Sequence, residues 1–301
     1  MSKRRALFVV NNKSGGANEE AVRKAADEIL KPLGVECHFF VRRKKGMSRR
    51  KATRRAIEEG FDLVVAAGGD GTVSRVADEL QGSGVRLGVV PTGTANLIAR
   101  SLRLPLDIAE AMRLIADPPR TVTIDGMHVP ETGKTYFSHI SMGVYSRIAK
   151  METEAQKKAM GRGVYLWNLF KELRHSNSWK FKIHVDGENS KVRSSLVILA
   201  NIGDAGIADM QWGKQIRIDD GHLDLCIVSG RTVGEYGRLA WHSLRGRPED
   251  DPAIDYLPVH QSIRIETSGD VPVRADGKLI GEGSVEVEVR RGAVEVMTSS
   301  A

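Results

Sequence analysis

The feature that most restricts the fold is the regular alternation of short apolar runs with helical patterns over the first 117 residues. Four apolar runs are typical of buried strands: residues 6–10, 35–41, 63–67 and 87–90. Helical patterns follow them at residues 19–30, 48–59, 72–80 and 94–102. Strands that alternate with helices across short loops predict a parallel sheet with right-handed crossovers. Ligands of such sheets bind at the carboxyl ends of the strands.

The pattern changes after the Asp-Pro-Pro sequence at residues 117–119. Runs with a period of two residues now dominate, at residues 121–125, 180–185, 196–200, 223–228, 262–266 and 284–290. Such alternation indicates antiparallel sheet. Two helical patterns interrupt the strands, at residues 152–174 and 232–244. We therefore predict a second domain that begins near residue 119.

Composition excludes several classes of protein. Hydrophobic residues make up 41% of the 301 residues and charged residues 28%, which excludes collagen-like, low-complexity and wholly disordered chains. The longest stretch without charge, residues 87–99, contains Pro91 and is shorter than the ~20 residues that a membrane-spanning helix needs. An apolar run at residues 6–10 is too short for a signal peptide. Cys37 and Cys226 lack metal or disulfide spacing, so we expect a reducing, cytoplasmic location.

Positive charge is concentrated in one segment. The chain has 45 basic and 38 acidic residues, and nine of the basic ones lie between Arg42 and Arg55 with no acid among them. Two interpretations are a solvated helix face and a surface for an anionic partner. Nucleic acid is not expected, because no aromatic residue interrupts the cluster and no DNA- or RNA-binding module surrounds it. An anionic membrane surface or a nucleotide phosphate is the better anionic partner.

The most informative segment is residues 63–74, where a buried strand runs into three glycines around Asp70 and then into a helix near Thr72. Glycines let a backbone approach a ligand closely, and a helix N-terminus attracts phosphate. Asp70 would hold Mg²⁺ beside that phosphate. The segment matches neither the GxxxxGK[ST] nor the GxGxxG pattern. The alternative interpretation is a tight strand-to-helix turn in which Thr72 caps the helix.

Two other strand-to-helix junctions repeat this chemistry. Residues 91–96 carry hydroxyl groups, a glycine and an asparagine, although Thr94 and Asn96 also suit a helix cap. Residues 10–16 follow the first strand and contain two glycines. The carboxyl ends of parallel strands meet at one edge of a sheet, so three such turns favour a nucleotide site.

Four motifs, in this order, resemble the diacylglycerol kinase catalytic-domain family, which includes soluble bacterial lipid kinases and the sphingosine and ceramide kinases. They are residues 12–15 (Asn-Lys-Ser-Gly), 68–72 (Gly-Gly-Asp-Gly-Thr), 91–96 (Pro-Thr-Gly-Thr-Ala-Asn) and 220–224 (Asp-Gly-His-Leu-Asp). The resemblance covers essentially the whole chain. It implies an α/β nucleotide-binding domain similar to those of phosphofructokinase and NAD kinase over residues 1–118. It also implies a β-sandwich lipid-substrate domain with helical insertions over residues 119–301, whose last segment is free to pack back on the first domain.

The same resemblance implies ATP and Mg²⁺ as cofactors and an active site in the cleft between the domains. It assigns nucleotide binding to residues of the three junctions: Asn12, Ser14, Gly68, Gly69, Asp70, Gly71, Thr72, Ser74, Thr94 and Asn96. Asp70 would also bind the catalytic Mg²⁺. A structural Mg²⁺ would take the Asp220 side chain and the carbonyl oxygens of Arg217 and His222.

The general base implied by the resemblance is Asp276, with Asp125 as a second aspartate that supports it. Both precede a glycine, as do Asp186 and Asp220, and Asp-Gly is a favoured hairpin turn. From the residues alone, each of these four pairs is therefore interpreted as a turn.

These inferences predict an ATP-dependent kinase that phosphorylates the hydroxyl of a membrane lipid, with diacylglycerol as the first candidate. The enzyme would work peripherally at the cytoplasmic side of an anionic membrane. The sequence leaves the oligomeric state open, a homodimer being one option. An NAD kinase is the alternative enzyme, since it shares the motif at residues 68–72. A catalytically silent lipid- or nucleotide-binding regulator is the alternative from another class, because Leu97 and Lys278 stand where the family carries acids.

Overall fold

The computed structural model describes residues 4–11, 16–42, 47–144, 178–206, 210–230 and 232–299. The chain divides into two compact units, one formed by Met1–Asp125 with Arg291–Ala301 and the other by Gly126–Arg290. The helix predicted at residues 152–174 lies outside the described residues.

The first unit is built on a parallel sheet. Its strands are β1 (Arg5–Val10), β2 (Glu36–Val41), β3 (Leu63–Gly68) and β4 (Arg86–Pro91), in the order β2-β1-β3-β4. Its helices are α1 (Gly16–Ile29), α2 (Arg49–Glu58), α3 (Asp70–Leu80), α4 (Leu97–Ser101) and α5 (Ile108–Ala116). Every residue of β3 is buried, as expected for a parallel strand covered on both faces. The predicted alternation of strands and helices is confirmed.

Two helices of this unit differ from the sequence-based expectation. The helix predicted at residues 94–102 begins only at Leu97, because the residues before it form a loop closed by its own side chain. Helix α5 was not predicted, although Asp107 is a typical cap: its Oδ1 accepts hydrogen bonds from the N–H groups of Ala109 and Glu110. Its apolar positions, such as Met112 and Ile115, face the core.

The second unit consists of antiparallel strands. After β5 (Arg120–Val129), which begins in the first unit, they are β6 (Lys134–Tyr136), β7 (His139–Gly143), β8 (Trp179–Val185), β9 (Glu188–Ser194), β10 (Leu196–Ala200), β11 (Leu223–Val228), β12 (Ile254–Val259), β13 (Ser262–Thr267), β14 (Pro272–Ala275), β15 (Lys278–Glu282) and β16 (Ser284–Thr298). One sheet has the order β12-β11-β10-β7-β14-β15, and β16-β13-β8-β9 form part of another. One core contains side chains of both, including Ile140 and Ile263, as in a β-sandwich. The predicted fold class is confirmed.

Helix α6 (Val233–Leu244) was also predicted. It begins with a capping box in which Thr232 Oγ1 accepts from Glu235 N–H, and the Glu235 carboxylate accepts from Thr232 N–H. In the part of the chain that the structure describes, no helix has the length and apolar character that a membrane crossing requires.

Strand β5 contains the point at which the units divide. Asp125 is the last residue of the first unit in this part of the chain, whereas the composition change predicts the boundary after residue 118. Residues 118 and 119 are not a linker, because Arg120 already begins the strand. The turn expected at Asp125-Gly126 is therefore wrong, since both residues continue β5.

The last strand, β16, belongs to both units. Its first part pairs antiparallel with β13 in the second unit. Its residues from Arg291 onward belong to the first unit, where Val296 lies opposite Leu87 of β4 in a parallel pair. Met297 is buried in the core of the first unit. The C-terminal part of β16 is thus a fifth parallel strand beside β4, although it comes from a distant part of the chain.

Candidate functional site

The glycine loop, residues 68–72, connects the buried strand β3 with helix α3. Gly69 caps the helix through its carbonyl oxygen, which accepts from Thr72 N–H at 2.7 Å and Val73 N–H at 3.2 Å. A Cβ atom on Gly68 would lie 2.6 Å from the Thr72 side chain, so this position cannot carry a side chain without movement of Thr72. Thr72 and Ser74 are buried, whereas Gly69, Asp70 and Gly71 are partly exposed. The partly exposed members are the ones that a ligand can reach directly.

The threonine loop, residues 91–96, packs directly on the glycine loop. A Cβ atom on Gly93 would lie only 2.4 Å from Gly69 Cα, and Thr92 N–H donates to Gly68 O at 3.1 Å. The two backbones therefore touch at their glycines. The convergence predicted for strand-end turns is observed at the ends of β3 and β4.

Asn96 closes the threonine loop on itself. Its Oδ1 accepts from Gly93 N–H and its Nδ2 donates to Gly93 O, both at 3.0 Å. The residue adopts a left-handed conformation with φ 52°, which asparagine tolerates better than most residues. Its amide thus holds the loop, although the resemblance assigns it to nucleotide binding. Thr94 lies at the exposed tip, where its hydroxyl can meet a ligand, and Thr92 is partly exposed.

Asp70 joins the glycine loop to helix α4. Its Oδ1 accepts from Ile98 N–H at 3.0 Å, which orients the carboxylate at the first residue of α3. Leu97, where the resemblance implies an acid, is buried at the start of α4. An oriented carboxylate beside a helix N-terminus suits a Mg²⁺-bound polyphosphate, because Mg²⁺ prefers oxygen ligands.

The third junction lies at the end of β1. Asn11 N–H donates to Ala67 O of β3 at 2.9 Å, so this junction also lies at the carboxyl edge of the sheet. Asn12 and Ser14, which the resemblance assigns to nucleotide binding, are outside the described residues. Arg49 Nη2 donates to Asn11 Oδ1 at 2.6 Å. Sequence reasoning missed Arg49 as a separate feature, because it stands within a run of basic residues.

The basic segment is partly neutralised by acids. Arg50 and Arg54 of α2 both form ion pairs with Glu79 of α3, whose side chain is only 2% exposed. Arg55 pairs with Glu59 at 2.5 Å. Arg42 and Lys51 are exposed, and residues 43–46 are outside the described residues. The positive surface is therefore smaller than the count of nine basic residues indicates.

In the second unit, Asp276 occupies the turn between β14 and β15. Asp276 and Gly277 have φ of 46° and 73°, so the turn interpretation is correct. The carboxylate also has specific partners: Oδ1 accepts from Ser138 N–H at 2.9 Å and Ser138 Oγ at 2.6 Å, and Oδ2 accepts from Phe137 N–H at 3.3 Å. Asp276 N–H donates to His139 O at 3.0 Å. The hairpin thus holds one carboxylate in a defined orientation against β7.

The residues that surround Asp276 are buried. Asn201 Nδ2 donates to Phe137 O at 3.0 Å and holds the segment that binds the carboxylate. Burial lowers the pKa of the adjacent His139, although the charge of Asp276 opposes this effect. The imidazole is accordingly neutral at neutral pH. Asp276 is partly exposed, whereas His139 is buried, so Asp276 is the better candidate for a base that a substrate can reach.

Asp125 lies in the first unit, where its Oδ1 accepts from Gly292 N–H at 2.7 Å. Gly292 has φ 54° and belongs to β16. This bond connects β5 with the returning strand. Support of Asp276 by Asp125 stays a prediction.

The proposed structural Mg²⁺ site centres on Asp220. His222 approaches its Oδ1 with Nδ1 at 3.2 Å, and His222 Nε2 lies 3.9 Å from Asp224 Oδ2. Burial raises the pKa of Asp224. Arg217 instead forms an ion pair with Asp219. No group of three acidic, histidine or cysteine side chains suited to a metal occurs in the described ranges. The donor set thus fits a hard cation only if backbone carbonyls complete it, as the resemblance implies.

Comparison with known proteins decides the family. Residues 5–129 match the family model described as "Diacylglycerol kinase catalytic domain". Residues 138–298 match "YegS C-terminal NAD kinase beta sandwich-like domain". A protein of Klebsiella pneumoniae (strain 342), named "Probable lipid kinase YegS-like", is 33% identical over 252 residues, which are 82% of this chain and 80% of that protein. This chain belongs to the diacylglycerol kinase family. It is a lipid kinase, as predicted from the four motifs.

Other members of the diacylglycerol kinase family are similar over most of their length. A "Diacylglycerol kinase" of Staphylococcus epidermidis (strain ATCC 12228 / FDA PCI 1200) is 28% identical over 283 residues, covering 93% of this chain and 87% of the relative. The crystal structure of a diacylglycerol kinase from Bacillus anthracis str. Sterne has a TM-score of 0.75 at 22% identity. That alignment covers 99% of this chain and 97% of the other. It shows that the two share a fold.

Proposed function

We propose that this lipid kinase transfers the γ-phosphoryl group of ATP to the hydroxyl of diacylglycerol at the cytoplasmic side of a membrane. The observation that supports it best is the direct packing of the glycine and threonine loops at the start of α3, with the Asp70 carboxylate oriented beside them. A phosphate-binding role explains why backbone rather than side chains occupies this edge of the sheet.

The first unit would bind the nucleotide. Helix α3 directs the positive end of its dipole toward the glycine loop, where the phosphates would lie. Asp70 would hold Mg²⁺, which supplies charge neutralisation for the phosphoryl group when it is bound. Gly69 and Gly93 would keep side chains out of the space that the phosphates need. Thr94 would donate or accept a hydrogen bond at the exposed side.

The second unit would supply the base. Asp276 would accept the proton of the lipid hydroxyl at a carboxylate oxygen as that hydroxyl attacks the γ-phosphorus. The backbone N–H groups of Phe137 and Ser138 hold the carboxylate, so that it is already oriented before substrate binds. Lys278 follows the turn directly and begins β15.

Radiolabelled ATP and mixed vesicles test this function. The purified protein with Mg²⁺ is expected to label diacylglycerol, and EDTA is expected to abolish labelling, since the phosphoryl charge is then not neutralised. Sphingosine-containing vesicles and free NAD serve as competing acceptors. Labelled NADP, formed from NAD without vesicles, would contradict the proposal. A wild-type protein that binds ATP but labels no lipid would instead support the silent regulator, provided that the Lys278→Glu variant does label lipid.

Membrane contact through the exposed basic residues near α2 is a second part of the proposal. Sedimentation with anionic vesicles is expected to fall when salt rises from about 0.1 M to about 0.5 M, because salt screens exposed charges. Replacing both Arg42 and Lys51 by Ser is expected to weaken binding, each basic residue contributing about 1 kcal/mol near anionic lipid. Arg55→Ser is the matched control, since that side chain already pairs with Glu59. Sedimentation that does not depend on salt would contradict an electrostatic contact.

A further inference from the structure

Arg49 differs from the other described arginines of the basic segment in being buried. Only 8% of the residue is exposed, and it stands at the first position of α2. Its Nη2 donates to Asn11 Oδ1, but its buried Nε has no hydrogen-bond partner in the described part of the chain. A buried donor without a partner costs free energy, and more so on a charged group. The guanidinium is thus held ready for an acceptor.

The place of Arg49 indicates what that acceptor is. Asn11, its partner, follows β1 and is bonded to Ala67 near the end of β3. The guanidinium therefore lies at the carboxyl edge of the sheet, where the glycine loop begins. From α3, Arg75 Nη1 donates to Gly71 O at 3.0 Å, so a second guanidinium turns back toward the same loop.

Electrostatics at this edge are unfavourable for the protein alone. Burial lowers the pKa of Arg49, and the positive charges of Arg75 and Arg42 lower it further. Arg50 and Arg54 of the same helix have Glu79 as an ion-pair partner, whereas no carboxylate pairs with Arg49 in the described ranges. Like charges gathered near a buried guanidinium would be relieved by an anion.

We propose that Arg49 and Arg75 form a phosphate subsite that binds the polyphosphate oxygens of the nucleotide beside the glycine loop. Arginine suits this task because its planar fork can donate two parallel hydrogen bonds to one phosphate. The inference rests on the proposed function in taking ATP as the nucleotide. The inference assigns Arg49 to nucleotide binding. Arg49 is then not one of the membrane-binding residues, although it lies within the basic segment of the sequence.

Calorimetric titration with tripolyphosphate, and separately with ATP, tests the subsite without any lipid. Arg49→Met is expected to raise the Kd for both by about tenfold or more, since a charged hydrogen bond is lost. Arg49→Lys keeps the charge but loses the fork, and Arg75→Gln removes the second charge; each is expected to raise the Kd by about three- to tenfold. The matched control is Arg54→Met, which removes an arginine of the same helix and should change the Kd by less than about twofold.

The outcomes separate this inference from the proposed function. Unchanged tripolyphosphate affinity in folded Arg49→Met, or no binding by the wild-type protein, would overturn the subsite. If Arg49→Met does not fold, unchanged affinity in both Arg49→Lys and Arg75→Gln overturns it equally. Tripolyphosphate binding that depends on Arg49, in a protein that does not phosphorylate diacylglycerol, would support the subsite and remove the proposed function.

Discussion

Asp276→Asn is expected to lower kcat by about 10²- to 10⁴-fold, with little change in the KM for ATP. The amide cannot accept the proton of the attacking hydroxyl, and general bases contribute roughly this factor. The hairpin should survive, because Asn-Gly is as suitable as Asp-Gly for a turn in which both residues have positive φ. Steady-state rates with labelled ATP and diacylglycerol vesicles give kcat, and circular dichroism reports the fold.

Asp186 offers a closely matched control for that substitution. It also precedes a glycine in a hairpin turn, with φ 49°, and its carboxylate accepts from the N–H groups of His260, Gln261 and Ser262. Burial by itself would raise the pKa of Asp186, but these hydrogen bonds lower it overall. The carboxylate is therefore ionised and has a structural role in the turn. Asp186→Asn should leave kcat unchanged. Equal losses in the two variants would show that turn structure, and not proton transfer, explains the effect.

The second large effect is expected for Gly93→Ala. A Cβ atom there would lie 2.4 Å from Gly69 Cα and 2.8 Å from Asn96 Oδ1, so two backbones must separate. Overpacking of this kind costs about 1–3 kcal/mol of unfolding free energy. Separation of the loops would also disturb the hydrogen bond from Ile98 N–H that orients the Asp70 carboxylate. We expect a lower urea midpoint and a loss of ATP binding larger than the loss of stability alone explains.

Gly237→Ala is the control, and its stability is expected to change in the opposite direction. Gly237 lies within α6, and a Cβ atom there would meet nothing within 4 Å. Alanine in a helix interior is favoured over glycine by about 0.5–1 kcal/mol, so this variant should be slightly more stable than the wild type. Wild-type stability together with wild-type ATP affinity in Gly93→Ala would contradict direct contact between the two loops.

Much of the first unit was predictable because its strands are buried on both faces and appear as continuous apolar runs. Residues 63–67 are an example, since β3 differs from that prediction by one residue. Helix α4 was predicted less well. The shortened start depends on hydrogen bonds between Asn96 and Gly93, and Asn96 by itself is equally typical of a helix cap.

Features that depend on distant residues were not visible in the sequence. The basic segment reads as one positive surface because Glu79, which neutralises two of its arginines, lies 25 residues beyond Arg54. Asp276 meets Ser138 across 138 residues, so its turn was predictable but its carboxylate partners were not. Asp125-Gly126 shows the reverse case, in which a typical turn pair continues a strand that pairs with the returning β16.

The return of β16 to the first unit affects how the protein is made. Domains generally fold in order of synthesis, the N-terminal one first. Here β4 stays an unprotected sheet edge, and the core lacks Met297, until residues 291–298 have left the ribosome. Thr298 then adds a hydrogen bond from its Oγ1 to Leu102 O at 3.2 Å. The half of the enzyme that is translated first is therefore the half that matures last.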